Sequence, residues 1–326
     1  KKETACLKVL SRSDVWLALN WGPEAKWGAH TEFWLRRTPG WDDGRNWVTT
    51  DGNDWSAGGG VHYDELMKNG YLRTDDGPPR IVGDSLVAYD RRDWAIVVKS
   101  SMGRGANAAT SGHHAYRTMV NGIRFGYRPH FDVSTPLVAK HRPVDWELML
   151  SKPREHLAFF KGSPSSGARQ ALEVLHDPAN GFIALLQGTT PQSEYDSFDY
   201  ETTLRNSRFG LAPAGVGYHS YRMSEVMQAG TVCVDVQREL NSFVLPYSDT
   251  LDWSKFSFSF ATEDKTTFSQ MGKILKAVSE TQWRKMQLRS MLVYQHFFTS
   301  TREATVIFEI LRRRIENAVK ESDVHC

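Results

Sequence analysis

From residue 155 onward, short apolar runs alternate with glycine-containing turns and with segments of helical spacing. This alternation predicts a parallel α/β sheet, because parallel strands need a crossover segment between them. The run His156-Leu-Ala-Phe-Phe160 predicts a strand, Gly162 to Gly167 a turn and Ala168 to His176 a helix. Phe182 to Leu186 reads as the next strand, and Asp199 to Asn206 as helix. Phe209 to Ala212 is a short strand and Pro213 to Gly217 a turn. A helix from about Ser220 to Ala229 is stopped by Gly230, and the buried strand Thr231-Val-Cys-Val-Asp-Val236 follows. Near the end, Leu288, Met291, Leu292 and Tyr294, then Ile307, Phe308, Ile310, Leu311 and Ile315, predict two amphipathic helices.

The first half is patterned differently. Seven of the eleven tryptophans fall between Trp16 and Trp55, among many Gly and Asp, and the periodicity there is poor. Loops and short strands are expected, with a strand beginning at Asn46-Trp-Val48 and a clearer one over Asp93 to Lys99. Two prolines make Tyr127-Arg-Pro-His-Phe-Asp-Val-Ser-Thr-Pro136 an extended segment. The boundary is expected near 140–154, dividing the chain into residues 1–145 and 146–326.

Composition narrows the function classes. A chain of 326 residues with 40% hydrophobic content suits two domains with their own cores. A formal net charge of +2 supplies no field for nucleic acid, and Arg312, Arg313 and Arg314 read as a solvated helix face. The three cysteines, Cys6, Cys233 and Cys326, include no CxxC pair, so no zinc cage is expected. No run of about 18 apolar residues is present to span a bilayer. The chain opens at Lys1-Lys2, which leaves room for an N-terminal membrane anchor ahead of it.

The sharpest chemical feature is Ala212-Pro-Ala-Gly-Val-Gly-Tyr-His-Ser-Tyr-Arg-Met-Ser-Glu225. Gly215 and Gly217 let the backbone turn tightly against a ligand. Ser220 is an N-cap candidate, so free N–H groups would point toward an anion. Arg222 and Glu225, three apart, share a helix face: the first suits a diphosphate, the second two ribose hydroxyls. An intrahelical ion pair worth about 0.3–0.5 kcal/mol accounts for the same two residues. Lys161, Gly162, Gly167 and Arg169 form a second, weaker phosphate-nest candidate. Asp51 and Asp54 stand where a catalytic base could, or simply shape a turn; His62 with Asp64 and Glu65 is equally ambiguous. His113-His114 lacks a third ligand at metal spacing, and no Asp-x-Asp clamp occurs, so no metal is expected. No GxGxxG motif opens the chain, which disfavours a cytosolic nucleotide-sugar enzyme such as an epimerase.

Taken in order, several blocks resemble the exostosin-like glycosyltransferases, glycosyltransferase family 47. They are Gly44-Arg-Asn-Trp with Asn53-Asp-Trp55, the segment 127–136, and Arg154-Glu-His-Leu-Ala-Phe-Phe-Lys-Gly162 with Arg169. Asn206-Ser-Arg-Phe-Gly-Leu-Ala-Pro-Ala-Gly215 with Ser220, Arg222, Glu225 and Ala229 follows, then Leu245-Pro-Tyr-Ser-Asp-Thr-Leu-Asp-Trp253 with Phe256-Ser257. The resemblance implies a GT-B fold, two Rossmann-like domains facing across a cleft, the C-terminal one holding a UDP-sugar. It implies inverting transfer to a glycan acceptor without metal or other cofactor, Arg169 and Arg222 on the diphosphate and Glu225 on the ribose. Asp54 is then the candidate base. It further implies a Golgi or ER lumen setting, as an anchored type II membrane protein, with homo- or hetero-oligomers open. Gly210 stands where the family often has Cys, Ala214 where it has Arg or Ser, and Asn53 where it has His. Those departures leave an alternative: a catalytically inactive glycan-binding or complex-partner module.

Overall fold

The computed structural model describes residues 133–137, 145–215, 220–240, 244–299, 302 and 305–314, with short strands over 16–20, 47–51, 96–100, 119–120 and 123–124. Two compact units emerge, residues 1–135 with 304–326, and residues 136–303.

The first unit contains β1 (Trp16–Asn20), β2 (Trp47–Asp51), β3 (Ile96–Ser100) and β6 (Val133–Thr135), in spatial order β1-β2-β3-β6. All three pairings are parallel. The strands expected at 46–48 and 93–99 are β2 and β3, and the proline-flanked segment ends in β6. A two-strand antiparallel ribbon joins β4 (Met119–Val120) to β5 (Ile123–Arg124). A helix over 305–314 belongs to this unit, with Glu309 accepting from both Arg312 and Arg313 on its solvated side.

The second unit is built on five parallel strands: β7 (His156–Gly162), β8 (Phe182–Leu186), β9 (Ser207–Pro213), β10 (Val232–Gln237) and β11 (Ser257–Ala261). Their spatial order, β11-β10-β9-β7-β8, sends the chain outward from β7 in one direction and then, from β9, in the other. Such a reversal opens a crevice at the carboxyl ends of the two central strands, where ligands of open α/β sheets bind. All six residues of β10 and all five of β8 are buried, which explains their unbroken apolar runs. Val232, Val234 and Val236 join Phe160, Phe209, Leu211, Leu172 and Trp283 in one core; Cys233, Asp235 and Gln237 face the other way.

The helices are α1 (Trp146–Ser151), α2 (Gly167–Gln170), α3 (Gln192–Ser197), α4 (Tyr200–Arg205), α5 (Tyr221–Gln228), α6 (Lys265–Ser269), α7 (Met271–Lys276) and α8 (Glu280–Phe297). The single helix expected over 168–176 is corrected: α2 ends at Gln170, a 3-10 turn takes Ala171–Leu175, and His176 is extended. His176 has left the helix to accept from Ala184 N through Nδ1 at 3.1 Å, which satisfies an N–H in the middle of the edge strand β8. Helix α8 also corrects the expected face. Trp283, Met286, Gln287, Ser290, Met291 and Tyr294 are buried, whereas Leu288 and Leu292 are 45% and 44% exposed.

Two contacts fix the helices that matter for the site. A Cβ added to Gly210 would lie 2.6 Å from both methyls of Val226, so the missing side chain is what lets α5 rest on β9. At the opposite end of the sheet, Arg154 donates to the carbonyls of Arg205, Met149 (3.1 Å) and Gly230 (3.0 Å). A cation there also meets the negative helix C-termini of α1, α4 and α5.

Candidate functional site

Arg169, Ser220, Arg222 and Glu225 gather at the crevice between β7 and β9. Strand β7 ends at Gly162, and Ser166 then caps α2, its Oγ accepting from Arg169 N at 3.3 Å. The same hydroxyl donates to Ala214 O at 2.6 Å, tying the loop after β7 to the loop after β9. Arg169 continues that link. Its Nη1 reaches Ser163 O and Oγ at 3.4 and 3.3 Å, and its Nη2 reaches Ser220 Oγ at 3.3 Å. Ser220 is the N-cap of α5 and accepts from Arg222 N at 3.2 Å.

Arg222 lies one step into α5. Its Nη1 pairs with Glu225 Oε2 at 2.5 Å, and its Nη2 donates to Lys161 O at 3.0 Å. The guanidinium lies beside Gly162, where an added Cβ would stand 3.6 Å from Nη2, an ordinary contact distance, and 3.0 Å from the Phe160 ring. Tyr200, on α4, donates its hydroxyl to Glu225 Oε2 at 2.7 Å, and its ring lies 4.4 Å from the Arg222 guanidinium carbon. The intrahelical Arg222–Glu225 pair anticipated from spacing is therefore present, but as part of a network of three side chains from two helices.

The electrostatics of the two arginines differ. Burial holds Arg169 below its ordinary value, and the Arg222 charge beside it adds to that; Glu225 and Tyr200 only partly offset them. Among the described residues no carboxylate pairs with Arg169, and its Nε is buried with no hydrogen-bond partner. Burial also works against Arg222, but Tyr200 and Glu225 more than offset it and raise its value. Desolvated like charges cost free energy unless an anion joins them. The site as folded has room in its charge balance for one.

Other expectations resolve as follows. Gly215 is half-buried just beyond Ala214, whose N–H extends the ladder to Val236 O at 2.9 Å. Lys161 is used elsewhere: its Nζ donates to Phe198 O at 2.8 Å and sits 4.3 Å from the Tyr195 ring centre. Serines 163 and 166, rather than glycines, make the contacts of the β7–α2 turn. Asp51 closes β2; Asp54, His62, Asp64, Glu65, His113, His114 and Gly217 lie outside the described residues. Ser166 carried a readable sign, a serine just before a helical segment. Tyr200 carried none, because its partners lie more than 20 positions away in the chain. A cavity of about 60 Å³ opens beside Glu225, lined by Tyr200, Leu204 and Gln228. That is too small for a nucleotide. Among the described residues no group of three or more His, Cys, Asp or Glu side chains could hold a metal, and no helix is long and apolar enough to cross a membrane.

The arrangement suits an anion carrying more than one charge: two guanidinium groups and the capped N-terminus of an eight-residue helix. The exostosin GT47 domain matches residues 89–278, a span that includes Arg169, Gly215, Ser220, Arg222 and Glu225. An exostosin-1 homolog of Caenorhabditis elegans is 26% identical over 225 residues, 59% of this chain and 56% of that protein. Exostosin-1 of Drosophila melanogaster is 31% identical over 123 residues, 37% of this chain and 15% of that one. Exostosin-1 of Mus musculus is 26% identical over 218 residues, 58% and 28% respectively. The matched region thus spans little more than half of the first of these relatives and less of the others. The crystal structure of a GtfA/B complex aligns with 87% of this chain and 60% of that one at 10% identity, with a TM-score of 0.38.

Proposed function

The chain belongs to the exostosin GT47 family, and from that premise we propose that it is an inverting glycosyltransferase, moving a sugar from a UDP-sugar to a polysaccharide or glycoprotein glycan. The observation that carries the reading is the meeting of Arg169 and Arg222 at the reversal point between β7 and β9. In such a transfer an acceptor hydroxyl attacks the anomeric carbon as the bond to the diphosphate breaks. The electron pair leaves with UDP, whose charge grows in the transition state. Two fixed guanidinium groups beside the phosphates stabilise that charge without reorganising, the role a divalent cation fills in other transferases. The departing hydroxyl proton needs a base, and Asp54 is the candidate for it. Glu225, held by Arg222 and Tyr200, stands one helical turn from the phosphate contacts, a reach that suits the ribose hydroxyls.

In this reading residues 136–303 hold the donor in a GT-B arrangement, and the tryptophan-rich unit offers stacking surfaces to the acceptor. The Golgi or ER lumen is the expected setting. The reading is tested by titrating the protein with UDP and screening UDP-sugars for release of UDP with a glycan acceptor present. Binding of UDP and sugar-dependent release are expected. Binding of glycans without any UDP binding would mark a glycan-binding module instead.

A further inference from the structure

The cation and the carboxylate of α5 do not hold themselves in place. Arginine and glutamate side chains each lose much rotamer freedom when fixed, and an exposed pair three residues apart is worth little against that loss. Here both are fixed by a third residue from a different helix. The Tyr200 ring is packed against Phe159 of β7, with centres 5.8 Å apart, and Phe159 is 1% exposed. Its backbone starts α4, which Asp199 caps by accepting from Thr202 N at 2.8 Å. The tyrosine is thus a rigid post anchored in the sheet. One side of it faces the Arg222 guanidinium at 4.4 Å, within reach of a cation–π contact. Its hydroxyl points to Glu225 Oε2, the oxygen that Arg222 also uses. Among the described residues nothing donates to Oε1, so that oxygen is left for a ligand.

The geometry points to Tyr200 as a positioning residue for the donor nucleotide: its ring places the Arg222 guanidinium for the diphosphate, and its hydroxyl turns Glu225 so that Oε1 faces the ribose. This rests on the UDP-sugar reading above. The two contacts make separable demands. Tyr200→Phe keeps the ring and its packing but removes the donor to Glu225. Tyr200→Leu removes both. Burial raises the tyrosine's pKa well above its ordinary value, with the Glu225 hydrogen bond adding to it, so the hydroxyl stays a donor at any working pH.

The experiment titrates wild type and both variants with UDP, 2′-deoxy-UDP and inorganic pyrophosphate by calorimetry, with circular dichroism and thermal midpoint as fold controls. For Tyr200→Phe, the preference for UDP over 2′-deoxy-UDP falls by about fivefold, while pyrophosphate affinity is unchanged. For Tyr200→Leu, pyrophosphate affinity also falls, by about fivefold. A purely structural tyrosine would move all three probes by one common factor, or none, and either pattern overturns the inference. If the folded wild-type protein binds none of the three, the donor reading itself fails and this inference with it. Because Tyr200→Phe is close to isosteric, the test survives even if Tyr200→Leu does not fold.

Discussion

Arg169 Nη2 lies 3.3 Å from Ser220 Oγ, a hydrogen bond that joins two βα units 51 residues apart in the chain. The bond draws a buried guanidinium toward Arg222, and burial together with that second charge opposes the arrangement. A site that stores such repulsion is relieved when an anion binds or when one charge is removed. Arg169→Ala should therefore leave the free protein as stable as wild type, or more so. UDP affinity should fall at least about tenfold, roughly one charge-assisted contact. Thermal melts with and without UDP check both halves; a variant that loses stability but keeps the UDP-induced shift contradicts the assignment.

Chelation offers an independent check. In the proposed reading Arg169 and Arg222 take up the charge that develops on the diphosphate, so release of UDP from its sugar conjugate should proceed equally well with EDTA present. Abolition by EDTA with recovery on adding manganese would count against the proposed role of the arginines.

Arg154 carries a structural prediction. Its guanidinium satisfies carbonyls at the ends of α1, α4 and α5, and Gln287 Nε2 shares two of them, Met149 O at 3.3 Å and Gly230 O at 2.9 Å. Burial, with Arg284 and Arg205 adding to it, pulls the guanidinium down to about 10. Arg154→Ala leaves the Arg205 carbonyl without that donor and opens a cavity, and it should cost about 2–4 kcal/mol. Arg154→Lys should recover only part, since one ammonium cannot span three acceptors in a planar fork. Urea denaturation of the three proteins measures it, and equal stability of Arg154→Ala and wild type would contradict it.

Gly210 is the departure from the family pattern with the clearest physical cause. The structure places Val226 where a Cβ at 210 would go, 2.6 Å from both methyls, and the stiff valine cannot turn away. Gly210→Cys, the residue common in the family, should destabilise by about 1–3 kcal/mol through overpacking. Val226→Ala in the same chain should return most of it. A double-mutant cycle measures the coupling, and additive effects would mean that α5 yields without strain. Because Arg222 and Glu225 ride on α5, Gly210→Cys should also weaken UDP binding, and the second substitution should restore it.

The order of the strands in residues 155–237 is legible because their central residues are buried and read as apolar runs. Helix α5 is legible from Ser220 at its start and Gly230 beyond its end. Strand β11 is not: Ser257-Phe-Ser-Phe-Ala261 is an edge strand whose Ser259 is exposed, and its apolar content is broken by serines. Helix α3, Gln192–Ser197, has no buried residue and hence no apolar stripe to detect. Within the site, Arg222 and Glu225 are visible as a pair because helical spacing brings them together. The Arg169–Ser220 bond and the Tyr200 contacts form across turns and strands, where a single sequence carries no spacing rule to reveal them.

Asp235 makes stability depend on pH with an unusual sign. It is fully inside β10, and burial lifts its carboxyl from 3.8 to about 7, against hydrogen bonds from Gln237 and Ser259 that favour the charged form. Below about pH 4 the side chain is protonated whether the chain is folded or not, and no penalty exists. Between about pH 4 and 7 the unfolded chain has released this proton while the folded one retains it, so rising pH favours unfolding. Above that window both states are ionised and the penalty is complete. Other carboxylates act oppositely: Asp199, Asp252 and Asp264 are held below their ordinary value by capping hydrogen bonds, so they lose stabilisation on acidification. The effect of Asp235 is isolated by comparing wild type with Asp235→Asn, whose amide oxygen can still accept from Gln237 Nε2. The thermal midpoint of Asp235→Asn relative to wild type should rise steadily from pH 4 to pH 7 and then level off. A difference that stays constant across that range would show that Asp235 ionises as easily inside the sheet as in water.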